Sequence, residues 1–264
     1  FRIGGLVNEV VGGSFQTFFS LIATENNTDI SITINGTTTT EILQENESYI
    51  GSYDDANGNN PNDIIGTLIQ SNKPIVVNSG SLNGSFANAS QGSDYGFDQI
   101  VDYSKVGSEY IFVKGTGSDA WENVLLVAHT DATTITINGL GISNGIVHGK
   151  GVNVSSASPA IASPSIDAGD YFLIEGDLYS ADGNMYVQSS APIFAFQGIG
   201  SGGSEANQGL FFVPPLKCSS VGDVDNIPEI NNIGETNYTG NLNIISKVGA
   251  VITISDDNNA NQSI

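Results

Sequence analysis

One cysteine, Cys218, stands in 264 residues. A single thiol excludes an internal disulfide framework and a cysteine-based zinc cluster. Positive charge is nearly as scarce. Arg2, Lys73, Lys105, Lys114, Lys150, Lys217 and Lys247 face 28 Asp and Glu, for a net charge of −21. Tracking a nucleic-acid backbone needs clustered cations, and these are scattered, so that class is excluded. An anionic membrane surface would repel the chain, and with no run of about 18 apolar residues no insertion into a bilayer is expected. Helical periodicity is missing too: no long stretch places apolar residues at i, i+3, i+4 and i+7. The two histidines, His129 and His148, are not spaced as H-x-x-x-H, and no G-x-S-x-G elbow occurs.

What is present is strand. Hydrophobic residues make up 39% and charged residues only 13%, enough to build a core. Ile30-Ser31-Ile32-Thr33-Ile34 alternates with period two and runs into Asn35-Gly36; Thr133 to Ile137 does the same into Asn138-Gly139. Asn-Gly after a β-branched ladder marks a hairpin, because both residues tolerate positive φ. Further strands are expected at 18–23, 64–69, 74–78, 110–113, 124–128, 171–175, 185–188, 193–197, 242–246 and 250–254. Short strands between Gly, Asn, Asp and Ser clusters predict an all-β fold of tandem antiparallel β-sandwich-like modules.

The strands recur as a set. Thr33-Ile34-Asn35-Gly36, Glu47-Ser48-Tyr49 and Gln70-Ser71-Asn72-Lys73-Pro74-Ile75 form one unit. Thr136-Ile137-Asn138-Gly139, Gly169-Asp170-Tyr171 and Gln188-Ser189-Ser190-Ala191-Pro192-Ile193 form the next, with extra residues in the Ser/Ala/Pro-rich stretch 155–165. Val251-Ile252-Thr253-Ile254 opens a third. The expected modules are therefore 1–90, 91–215 and an incomplete 216–264, in a fragment of a longer protein. Each proline is expected at a strand start, where its missing N–H costs least. Abundant Gly, Asn, Ser and Thr with few basic residues point to an exported chain, any leader being already removed. Eight Asn-x-Ser/Thr sequons occur, an expected number of chance matches in such a composition.

Four segments, in order, resemble the N-terminal domain family of IgGFc-binding proteins. They are Ser71-Asn72-Lys73-Pro74-Ile75-Val76-Val77-Asn78-Ser79-Gly80; Gly92-Ser93-Asp94-Tyr95-Gly96-Phe97-Asp98-Gln99 followed by Gly107-Ser108-Glu109-Tyr110; Thr130 through Gly139; and Ala206 through Leu216. The resemblance spans roughly 64 to 255. It implies adhesion or ligand binding at a cell surface or in a secretion. The missing cysteine pairs set the chain apart from animal members and resemble bacterial, Bacteroidota-type members. Antibody binding does not follow from the likeness.

Two sets of residues stand out as sites. Asp54, Asp55, Asn57 and Asp63 gather acidic and amide oxygens around a Gly turn, the donor set a calcium ion takes; the plain alternative is a solvated turn, since no Glu stands at the twelfth EF-hand place. Asp94, Tyr95, Asp98 and Gln99 form an acidic block, expected on a connector between sandwiches. There Tyr95 and Phe97 would make a stacking platform for a sugar or peptide, or the block would simply pack a domain junction. Trp121, the sole tryptophan, would stack on a sugar if exposed and fill the core if not. Glu122 is expected to pair with Lys114. The Asn- and Gly-rich stretches 83–92 and 198–207 are expected as long loops that carry binding. No catalytic residue is assigned: Cys218 has no histidine near it in sequence, and paired carboxylates can be drawn at will from so many acids.

The chain therefore reads as a non-enzymatic adhesion module of a larger exported protein, taking a glycan, mucin or protein ligand. A structural stalk or assembly subunit that contacts only other chains of a surface assembly is the first alternative. A carbohydrate-active hydrolase domain is the second.

Overall fold

The computed structural model describes residues 1–7, 15–54, 58–84, 94–138, 147–149, 165–200 and 209–216, with shorter stretches between 232 and 263. The described residues form antiparallel strands and short 3-10 turns. None of their helices is long and apolar enough to cross a membrane. Two compact units divide the chain, Phe1–Ser219 and Ser220–Ile264.

The first half of the larger unit holds β1 (Gln16–Ala23), β2 (Thr28–Ile34), β3 (Thr37–Leu43), β4 (Ser48–Asp54), β5 (Leu68–Ser71), β6 (Ile75–Gly84) and β7 (Asp94–Ile100). They build two layers, β4-β1-β6-β7 and β3-β2-β5. The alternation read from sequence drives this packing. Phe19, Leu21 and Ala23 of β1 point inward with Ile30 and Ile32 of β2, while Gln16, Ser20 and Ile22 point out. Asn35 (φ 49°) and Gly36 (φ 79°) make the β2–β3 turn in the left-handed conformation that an Asn-Gly hairpin needs.

The second half holds β8 (Gly107–Val113), β9 (Asn123–Ala128), β10 (Thr133–Ile137), β11 (Val147–Gly149), β12 (Ser165–Ile166), β13 (Tyr171–Ile174), β14 (Asn184–Ile199) and β15 (Gly209–Phe212). Its pairing order is β11-β13-β9-β14-β10-β12, with β8 and β15 also on β14. The long β14 passes between layers. Residues 184–189 pair with β8 and β10, while 193–199 pair with β9 and β15. Pro192 therefore lies inside a strand rather than at its start. It sits where the β8 register shifts between Gln188 and Ile193, an irregularity that tolerates a residue without an N–H.

Other departures have local causes. The strand expected at 64–69 begins only at Leu68, because Ile64 closes the 3-10 turn Pro61–Ile64, which Asn60 caps through its side-chain oxygen. Residues 94–99 are strand β7, not a connector. The described residues of 242–246 lie outside any strand, and β18 (Thr253–Asp256) pairs with β19 (Asn259–Ser263) in the smaller unit, which also holds β16 (Asn232–Ile233) and β17 (Thr236–Asn237). Residue 90, the first expected module boundary, falls outside the described residues.

One apolar cluster joins both halves of the larger unit. Ile3, Leu6, Leu21, Ile32, Ile64 and Ile65 share it with Leu125, Val127, Leu173, Phe194, Phe196 and Leu210. The opposite face of the second sheet packs separately, through Leu126, Phe172, Ile174 and Ala195 onto Ile135, Ile137, Phe112 and Met185. Every residue of β9 and β13 is buried.

The joint is close. Gly66 (φ 86°) faces Gly169 so tightly that a Cβ on Gly66 would fall 1.9 Å from the Gly169 carbonyl oxygen. Gly36 has similar φ but open space around it. Gly36→Ala should therefore cost only the backbone strain, about 1 kcal/mol. Gly66→Ala adds a clash between two backbones and should cost more than about 3 kcal/mol. Thermal unfolding of the two variants side by side checks this; equal losses would contradict the tight joint.

Candidate binding surface

Alternation decides what the four-stranded sheet of the first half shows outward. Phe18, Ser20 and Ile22 of β1 lie in register with Ser52, Ile50 and Ser48 of β4, and with Gly80, Asn78 and Val76 of β6. Gly80 and Asn78 in turn face Phe97 and Gln99 of β7. The result is an outer face with an aromatic corner. Phe97 packs edge-on against Phe18 at 5.8 Å, and Tyr95 tilts against Phe97 at 6.4 Å. Gly80 makes room for this: a Cβ there would meet Phe97 at 2.4 Å. Tyr95 remains 67% exposed, Phe97 50% and Ile50 66%. Among the described residues the face carries no charged side chain except Asp54 at its rim, on a chain of net charge −21.

The acidic block thus divides. Tyr95 and Gln99 point outward with Phe97. Asp98 turns the other way, where one carboxylate oxygen accepts from the Gln99 N–H (2.8 Å) and the other from the Phe212 N–H of β15 (3.0 Å). Asp98 therefore ties β7 to β15. The side chain of Asp94 lies outside the described residues. Phe18, Ile22 and Ile50 were not singled out from sequence. A strand at 18–23 puts Phe18 and Ile22 on one face, but nothing local says which face a second layer leaves open.

The remaining candidates are placed as follows. Trp121, in the 3-10 turn Asp119–Trp121, is 4% exposed and sits against Gly200, so its ring offers no free face for a sugar. Glu122 is fully buried and does not pair with Lys114, which bonds Asp119 instead. Its carboxylate accepts from the N–H groups of Gly115 and Gly117, both at 2.8 Å, while burial pushes its pKa up. Those bonds hold a glycine-rich turn and give the group a structural role. Asp54 ends β4 and Asp63 lies on the 3-10 turn; Asp55 and Asn57 fall outside the described residues. Among the described residues no three His, Cys, Asp or Glu gather as a metal site. Cys218 and most of the two long loops also fall outside them. A shallow groove crosses the solvent side of the three-stranded sheet, lined by Asp29, Ser31, Thr40, Ile42, Gln70 and Asn72.

At the joint between the halves, the buried Arg2 guanidinium donates to the Gly66 carbonyl (2.9 Å) and toward the His129 carbonyl (3.5 Å). The His129 imidazole stacks on Tyr103 at 3.9 Å and tilts against Phe194 at 6.3 Å.

A family model described as IgGFc binding protein matches residues 6–263, nearly the whole chain. No curated protein and no solved structure matches.

Burial, and after it the Arg2 charge, hold the His129 imidazole below its usual range. The fold favours the neutral ring. The stability this contributes is present above the unfolded value of about 6.5 and is lost as pH falls through the depressed value. The thermal midpoint of the native chain should therefore drop faster on acidification below about pH 6.5 than that of His129→Phe, which keeps the stacking. Parallel curves for the two proteins would refute it.

Proposed function

The chain belongs to the IgGFc-binding protein family, and on that premise we propose that it is a non-enzymatic extracellular binding module that engages its ligand on the outer face of β4-β1-β6-β7. The observation that carries this is the uncharged, aromatic-bearing surface of Tyr95, Phe97, Ile22 and Ile50, held open on an otherwise strongly acidic chain. Large rings with little conformational freedom and few charges nearby are what binding surfaces concentrate. Their π faces also suit the apolar side of a sugar ring. The ligand classes this surface accepts are glycan, mucin and protein. An exported, surface-attached setting fits the family and the acidity, which keeps a folded chain soluble outside the cell.

The face also fits the reading in which the chain contacts other protein chains, because in the second half one side of the sheet β13-β9-β14 is buried under the first half of the same chain. A hydrolase reading has no such support: Glu122 is occupied by backbone N–H groups, and His129 by aromatic rings and the joint.

The test is an array of glycans, mucins and immunoglobulin Fc, probed with the calcium-loaded chain, an EDTA-treated copy, and the variants Tyr95→Ala and Phe97→Ala. Both side chains are half-exposed or more, so the variants should melt within about 0.5 kcal/mol of the native chain and lose binding at least about tenfold. Binding lost in EDTA would support a metal-dependent contact, and substitution of Asp54, Asp55 and Asn57 would then test that loop as the calcium site. Binding that ignores both aromatic variants would overturn the assignment of the face.

A further inference from the structure

The two halves of the larger unit share a pairing pattern that can be matched residue by residue. In the first, Ser20 pairs Ile50 and Asn78, Ile22 pairs Ser48 and Val76, and Gly80 pairs Phe97. In the second, Leu125 pairs Leu173 and Phe196, Val127 pairs Tyr171 and Phe194, and Gly198 pairs Leu210. The registers coincide, so Ser20, Ile22, Ile50, Val76, Asn78 and Phe97 correspond to Leu125, Val127, Leu173, Phe194, Phe196 and Leu210. The second set is buried, covered by protein: residues 1–7, the turn at 61–66 and the segment 100–106 lie in one cluster with it. Gly4 lies so near Phe196 that a Cβ would meet the ring at 2.7 Å. Among the described residues the first set has no such cover, and Ile22, Ile50 and Phe97 are exposed.

We infer that the outer face of β4-β1-β6-β7 is covered by a second copy of this chain. This rests on the reading of that face as a binding surface and names its partner. Three observations favour a second copy over an unrelated protein. The equivalent face in the same chain is covered by a module of its own kind. The face is charge-free apart from Asp54 at the rim, so a partner of net charge −21 meets no local repulsion there, whereas a cationic partner finds nothing to attract it. And polar Ser20, Asn78 and Gln99 stand where the internal joint has Leu125, Phe196 and Phe212, which suits a contact made between chains already folded and soluble rather than an obligate one. The internal joint sets the equivalent face against residues 1–7 and the turn at 61–66; the contact between chains differs in using one patch on both copies, which closes the assembly at two.

Sedimentation of the whole chain from roughly 1 to 200 µM, at moderate salt to screen its acidity, reads this out. The expected result is a concentration-dependent dimer. Phe97→Asp and Ile50→Lys should each raise its dissociation constant at least about tenfold, with unchanged circular dichroism, because both positions are exposed. Thr40→Lys, on the solvent side of the other sheet, should leave it unchanged. A chain monomeric throughout the range overturns the inference, as does a dimer indifferent to both face variants. Applying the same variants to the ligand array separates the two readings. If the chain is monomeric but the variants abolish ligand capture, the face is a binding surface with another partner. If the chain is monomeric and capture is untouched, both readings fall.

Discussion

A sheet covered on both sides sets the terms for the first 219 residues. The strands β9 and β13 and the second half of β14 have no solvent face: one side closes their own sandwich and the other takes the weight of the first half. This is why they read as unbroken apolar runs, Val124-Leu125-Leu126-Val127-Ala128 and Tyr171-Phe172-Leu173-Ile174, and not as alternating ones. Burying such a surface is worth tens of cal/mol for every Å² taken out of water, about 25 by the usual coefficient. The cost is geometric. The covering segment must come within van der Waals distance of Phe196 and Gly169, and only glycine at positions 4 and 66 permits it.

That constraint separates what was legible in the sequence from what was not. The β2–β3 hairpin was legible, because Asn35-Gly36 and the β-branched ladder before it act within a few residues; the ladder before Asn138 instead pairs with β12 and β14, and Gly139 lies outside the described residues. The all-β class was legible too. The burial of Trp121 was left open and could only be left open: a lone aromatic in a Ser-Asp-Ala-Trp-Glu stretch is core or surface according to what packs on it from Gly200, far along the chain. The acidic block failed differently. Asp94 to Gln99 looks like a connector because Asp, Gly and Gln are poor strand formers, yet pairing with β6 outweighs that propensity and sends alternate residues to opposite sides. Tyr95 and Gln99 share the outer face, whereas Asp98 turns to the Phe212 N–H of β15, a division the sequence alone did not display.

Glu122 shows the same lesson in charge. Lys114 was the expected partner, but it bonds Asp119 and acts on Glu122 only through its charge, while the buried carboxylate takes its hydrogen bonds from the N–H groups of Gly115 and Gly117. In a chain with so few cations, most acids must find such neutral donors or stay in water. The open face of the first sheet stands out against this background because its described residues carry no charge except Asp54 at the rim.

The interlocked joint also has a mechanical side. Neighbouring modules that meet through small polar contacts yield to a pulling force one after another, each letting out its own length of chain. Here the first half cannot be peeled away without baring the apolar side of β9, β13 and β14 to water, so loss of one half removes the support of the other. Under tension the larger unit should hold to a single threshold and then give way at once, as a bolt does rather than a spring.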